Sequence, residues 1–488
     1  MKKWFVWLAL MVVGAAIVLI VCFGRGKSVW TSVKDPEARA TLRHFVEVKE
    51  AQAAAGTNGM QPEVQALYND AKWGGWGNFT NSFRKLGEQM GEFYPIEPKP
   101  LFDGPVTERV REWLNFMADK VGWFRHMVRR RTAEAEADEK IAERVRGIPW
   151  ETIYEVEWAE EAFMTCDEKY VMEYAREITN TLPSGAIYFG NTAPGLFVVE
   201  AMEQSHPDGN PFFALSRNKI FHPTYLSYLR PMYGGKLNVP TERDTTRIVN
   251  GVMEQSLDEA PREFGRVQDL RDVFMVDFLK INPGRQVFGE PAFVNDELVK
   301  RMEPHGLIVK INHDPVTALS TNLTRIDREY WSRQVTEKLG GWLGSETSIK
   351  DIADFAGMVH GRGDLKSFNG DSRFVRSDAA CELYGNTRAA FARLYAWRAD
   401  HSSNPNEKEQ MKIQADYAYR QAWALSPASS EVVWSFVGFL TNEKRFDEAI
   451  LVAETAKRMP ENSDANSISW FNQEIDQIKN VKAKADSP

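Results

Sequence analysis

Cysteine is scarce: Cys22, Cys166 and Cys381 are the only three in 488 residues, and none stands at the close spacing of a metal knuckle or a redox pair. A disulfide framework and a cysteine metal site are therefore excluded, while a single Cys166–Cys381 bridge stays open. The eight histidines are scattered, with no two at the helical spacing that would seat a metal. There is no Gly-x-Gly-x-x-Gly, phosphate-loop, Gly-x-Ser-x-Gly or His-Glu-x-x-His run. The sequence thus assigns no catalytic residue, no metal and no cofactor. Positive charge is not in excess either: a formal net charge of -8 offers no general attraction to nucleic acid. The one basic run, Arg129-Arg130-Arg131, is followed by Glu134, Glu136, Asp138 and Glu139, which would neutralise it on a solvated helix. Disorder is excluded for the chain as a whole by 43% hydrophobic and 26% charged residues.

What is present begins with Trp4 to Phe23, twenty residues without a charge, enough helix to cross about 30 Å of hydrocarbon. A cleaved signal is the rival reading, but the run is long for a signal core and no small-x-small site follows closely, so an uncleaved transmembrane anchor is favoured. Lys2 and Lys3 compete with Arg25 and Lys27, so the flanking charges barely orient it; a short leader before a large domain favours an exported body. Residues 28–150 read as an aromatic and helical collar. In it, Lys72-Trp73-Gly74-Gly75-Trp76-Gly77-Asn78-Phe79 could stack on sugar but more simply plugs a core, and Pro95, Pro98, Pro100 and Pro105 make a stiff linker.

The chain is organised around Leu182 to Asn191. Pro183 and Gly185 stop a helix, Ala186-Ile187-Tyr188-Phe189 is an apolar run too short for another, and Gly190 begins a turn. Asn191 or Thr192 can cap the next helix, with Pro194 in its first turn. The pattern recurs at Phe212–Leu215, Gln286–Phe288 and Leu307–Ile311, the last two separated by a helix expected over 295–302. Strands alternating with helices predict a small, mainly parallel sheet in an α/β domain over 151–335, followed by a connector over 336–380. Asn191 and Thr192 fall where open α/β sheets commonly bind ligands, and are the candidate ligand residues. Arg362-Gly363-Asp364 in the connector reads as a turn.

Residues 381–488 carry a period. Ala415 and Ala422 recur as Ala449 and Ala456, each 34 residues later, the spacing of tetratricopeptide repeats. Pro427 and Pro460 would end the second helix of each unit. Trp434, Phe439 and Phe446 of the second unit are the candidate partner-binding residues, and 466–480 reads as a capping helix. The fold class expected is α/β with large helical content, an N-terminal transmembrane helix and C-terminal tetratricopeptide-like helices.

Leu182-Pro-x-Gly-Ala-Ile-Tyr-Phe-x-Asn191, the helix after it, Arg285–Phe288 and Glu303-x-x-Gly306-Leu307-Ile-Val-x-Ile311 resemble the soluble tail of an uncharacterised bacterial membrane family. That family is related to protein O-mannosyltransferase-type glycosyltransferases and also ends in tetratricopeptide-like helices. Its multi-span half is absent here, and Ala193 and Gly195 stand where the resemblance implies acidic residues. Together these readings predict a non-catalytic adaptor: membrane lipid bound through residues 4–23, a single pass of the bacterial cytoplasmic membrane, a periplasmic body, an envelope protein as partner and no nucleic acid. The alternative is a glycan-binding module or accessory enzyme of envelope glycosylation.

Overall fold

A computed structural model describes residues 33–55, 62–72, 82, 150–203, 209–241, 243–245, 247–248, 263–291 and 296–485. The apolar run 4–23, Cys22, the aromatic–glycine stretch after Lys72, the proline linker and the basic run Arg129–Arg131 with the acidic residues after it lie outside the described residues. In chain order the elements are α1 (Pro36–Ala55), α2 (Pro62–Lys72), α3 (Trp150–Thr165), α4 (Glu168–Thr181), β1 (Ile187–Gly190) and, after a π-helical turn (Pro194–Val198), α5 (Val199–Glu203). There follow β2 (Phe213–Ser216), α6 (Pro223–Tyr233), α7 (Glu263–Ile281), β3 (Val287–Gly289), α8 (Asp296–Val299), β4 (Met302–His305) and β5 (Ile308–Ile311). The rest is helical: α9 (Thr321–Leu339), α10 (Ile349–Ala356), α11 (Asp378–His401), α12 (Pro405–Leu425), α13 (Ser430–Asn442), α14 (Phe446–Lys457) and α15 (Ala465–Ala485).

This corrects the expected class on two counts. Among the described residues the protein is mostly helical, 68%, and its small five-stranded sheet, ordered β2-β1-β3-β5-β4, is mixed rather than mainly parallel. No helix among the described residues is long and apolar enough to cross a membrane, so the expected transmembrane helix has no counterpart among them. The reason for the mixed sheet is local. Met302, expected to end the helix over 295–302, instead begins β4, because Pro304 has no N–H to continue a helix and is tolerated on an edge strand. Gly306, at φ +68°, then turns the chain within two residues, pairing His305 with Ile308 and Met302 with Ile311 in antiparallel register.

The chain divides into two units. The described residues within 27–164 and 182–287 form the α/β unit; those within 165–181 and 288–485 form the helical unit. In the α/β unit β1 and β2 pair in parallel, Ile187 beside Phe213 and Gly190 beside Ser216. All four residues of each strand are buried, as a short strand covered on both faces requires. Phe189 meets Phe278 of α7 edge to face at 5.8 Å, and Phe213 meets Tyr233 of α6 at 5.0 Å. Gly190 lets the next turn close on the strand: a Cβ there would stand 2.5 Å from the Leu196 Cβ and 2.9 Å from its Cα. Gly190→Ala should therefore lower stability by about 1–3 kcal/mol through overpacking, read as a fall in the urea midpoint at unchanged slope.

In the helical unit small residues set the spacing. Ala389, Ala390, Ala415, Ala418 and Ala422 are buried between α11 and α12, and a Cβ at Gly385 would meet that of Ser426 at 2.5 Å. Ala449, Ala453 and Ala456 are likewise buried on α14. α15 covers the end through Phe471, Ile475 and Ile478. Cys166 and Cys381 are free thiols, so the bridge left open by the sequence does not form.

Candidate functional site

At the ends of β1 and β2, where the sequence places its candidate ligand residues, the polar groups turn on one another. Thr192 Oγ1 accepts from the Gly195 N–H at 3.0 Å and its carbonyl accepts from the Leu196 N–H at 3.0 Å, so the residue caps the π-helical turn. The Asn191 carbonyl accepts from Asn218 Nδ2 at 3.1 Å, tying the loop after β1 to the loop after β2. Next to them Arg217 holds Asp272 at 2.9 Å in a buried pair, and Lys219 holds Glu151 at 2.7 Å while lying 4.8 Å over the Tyr154 ring. Among the described residues no cluster of His, Cys, Asp and Glu is placed to hold a metal ion.

A second polar cluster in the same unit has no local signal in the sequence. Lys49 of α1 is wholly buried and pairs with Glu155 of α3, with Glu200 of α5 at 3.9 Å further off. Tyr228 of α6 donates to Glu155 at 2.9 Å and accepts from Lys49 at 3.5 Å. Burial holds the Glu200 carboxyl well above the usual range, with Lys49 pulling the other way. On the same α3, burial and the repulsion of Glu161 and Glu160 push Glu157 up to about 8, and burial with Glu161 pushes Glu160 up to about 7. Four helices are cross-tied here, and Lys49 with no accessible surface is no approachable reagent.

The helical unit carries an open groove of about 460 Å³ lined by α12, α13, Arg328 of α9 and the loop at Ser345 and Glu346. Its apolar wall is Tyr417, Phe439 and Ile413, of which Ile413 is 52% exposed. Most charges in it are paired: Lys412 with Glu443 at 2.6 Å, and Asp416 with both Arg420 and Arg445. Arg420 also donates to the carbonyls of Ser345 and Thr347, both at 2.8 Å, which fixes the loop against α12. Arg328 lies 4.8 Å over the Tyr417 ring, and neither it nor Glu409 forms an ion pair with a described residue.

The three aromatic residues marked by the repeat pattern separate. Phe439 lies on the groove wall, packed 5.2 Å from Tyr419. Trp434 is instead taken up by the last helix, 4.1 Å from Trp470 and 5.4 Å from Phe471. Phe446 is buried at the start of α14. Arg328, Ile413 and Tyr417 carry no signal in the sequence; the period marks the small residues of α12, whereas these stand on another of its faces or on α9. No family model, curated protein or solved structure matches this chain.

Proposed function

We propose that the protein is a non-catalytic adaptor that holds a segment of another envelope protein in the α12–α13 groove. The observation that carries this reading is an exposed Ile413 beside aromatic Tyr417 and Phe439, flanked by Arg328 and Glu409 with no ion-pair partner among the described residues. An apolar stripe between unlike free charges suits an amphipathic segment, whose side chains would bury on Ile413 while its own charges meet Arg328 and Glu409. The 34-residue spacing of the buried alanines supports treating α11–α14 as two tetratricopeptide-like units, which commonly present such grooves. The resemblance of Leu182–Asn191 and Gly306–Ile311 to the tails of membrane proteins supports an envelope setting, with membrane lipid met through residues 4–23 and the body in the periplasm.

The test is purification of tagged full-length protein in mild detergent. A partner protein should co-purify with the native chain, and Ile413→Asp combined with Arg328→Glu should reduce it at least tenfold without moving the thermal midpoint by more than a degree or two (about 1.4 kcal/mol of binding per tenfold). Retention of the partner by that variant, or the absence of any stoichiometric partner, would overturn the groove reading. Glycan binding that is lost in Asn191→Ala would favour the sugar-binding alternative instead.

A further inference from the structure

The helical unit holds a larger cavity, about 920 Å³, apart from the groove. Its apolar wall is built from rings: Trp342 packs on Phe355 at 4.4 Å, and Phe368 lies 6.1 Å from Phe355, with Met358 and Met459 beside them. Four charged side chains line it, and they are not equivalent. Asp351 is used by the α10 capping box, where its Oδ2 accepts from the Ser348 hydroxyl at 2.7 Å and from the Ser348 N–H at 3.2 Å. Asp354 is held by Lys350 at 2.8 Å. Arg362 is exposed and forms no ion pair with a described residue, and Arg458, 73% exposed, reaches Glu454 only at 4.0 Å. Asp351 keeps its negative charge, so what the aromatic, sulfur-lined cavity leaves without a close partner is two guanidinium donors.

We infer that this cavity binds an organic carboxylate with an apolar body, the body against Trp342, Phe355 and Phe368 and the carboxylate at Arg362 and Arg458. Guanidinium groups match a carboxylate with two parallel hydrogen bonds, and aromatic walls with a few polar groups at the rim are the ordinary makeup of a ligand pocket. A volume near the upper end of the usual range, roughly 300–1,000 Å³, admits either a small arylalkanoic acid or the last residues of a peptide with a free terminus. The backbone suits such a ligand too, since Gly357–Gly361 forms a π-helical turn directly after α10, a departure from α-helix often found at binding sites. The inference stands whether or not the groove binds a partner.

Calorimetric titration of the full-length protein with three probes tests it: N-acetyl-Leu-Leu-Phe as the free acid, the same peptide as its amide, and 3-phenylpropionate. At least one acid should bind, and the free-acid peptide should bind about tenfold more tightly than its amide. Arg362→Gln with Arg458→Gln should abolish that preference. Gly357 lines the cavity, and a Cβ added there meets nothing within 4 Å. Gly357→Leu should therefore be tolerated at its Cβ and, by occupying part of the cavity, weaken binding of both acids. Tighter binding of the peptide identifies a chain end as the ligand, and comparable binding of phenylpropionate identifies a small acid; either supports the site. Equal affinity for acid and amide, failure of both acids to bind, or affinity unchanged by Gly357→Leu would overturn it.

Discussion

Asp327→Ala is expected to destabilise the helical unit by about 3–5 kcal/mol, since it strands a buried guanidinium. Asp327 Oδ2 accepts from Arg388 Nη1 at 2.9 Å and from the Tyr395 hydroxyl at 2.8 Å, while Arg388 Nε donates to Gln421 Oε1 at 2.9 Å. The Arg388 side chain is 1% exposed, that of Asp327 2%, and the guanidinium lies 5.0 Å over the Trp331 ring. The native pair is almost wholly out of water, so removing the carboxylate uncovers much of the cation's desolvation cost. The informative control is Asp327→Ala with Arg388→Met. Removing the charge along with its partner should recover most of the loss, because a buried pair contributes far less than the penalty for breaking it. Urea unfolding followed by peptide-resolved hydrogen exchange over α9, α11 and α12 would measure both variants. A single variant within about 1 kcal/mol of the native chain would show that this pair does not hold the helices together.

Raising the pH from 6.5 to 8 should weaken the α/β unit, the reverse of the usual behaviour of carboxylates. Burial raises Glu160 to about 7 and Glu157 to about 8 in the folded protein, from 4.5 for a free carboxyl. Between the free and the folded values the native state keeps a proton that the unfolded chain has released, so stability is full below about 4.5 and falls as pH rises to each folded value. His222 acts oppositely: burial, then Lys219 and Arg271, hold it down to about 4 from 6.5. Below pH 6.5 the unfolded chain therefore gains a proton on that histidine that the native chain refuses, which offsets part of the carboxyl effect. Above 6.5 the histidine is neutral in both states, and Glu161 and Glu200, also raised by burial, act in the same direction as Glu157 and Glu160. Allowing for the partial exposure of Glu157, the loss from pH 6.5 to 8 is about 2 kcal/mol. Glu157→Gln with Glu160→Gln should reduce that slope. Exchange protection of β1 and β2, corrected for intrinsic rates, is the measurement; a slope unchanged in the double variant would refute the assignment.

Legibility differed along the chain for physical reasons. β1, β2, β3 and β5 coincide within a residue with short apolar runs bounded by Pro and Gly, because a strand buried on both faces has no other composition open to it. β4 was missed: Met302-Glu303-Pro304-His305 carries no apolar run, and its place is set by the Gly306 turn and by pairing with β5. On the site side, Thr192 was legible as a cap, but its neighbourhood is closed by Asn218, Arg217 and Lys219, which a reading of one loop could not supply. Trp434 and Phe439 are near neighbours in the sequence, yet α15 covers the first and the groove takes the second.

The sequence by itself determined what depends on near neighbours: the strand runs, the glycines at turns, the helix cap at Thr192, and the spacing of alanines that lets α11–α14 pack closely. Each is a property of a few consecutive residues or of a helical period, and needs no knowledge of what lies across the core. Only the tertiary structure decided which charges stay paired. Lys49 with Glu155, Arg388 with Asp327, and the unspent Arg328 and Arg362 look alike in the sequence as single charged letters. Their difference arises because the attraction between charges and the cost of burying them depend on distance and water access in three dimensions, which separation along the chain does not encode.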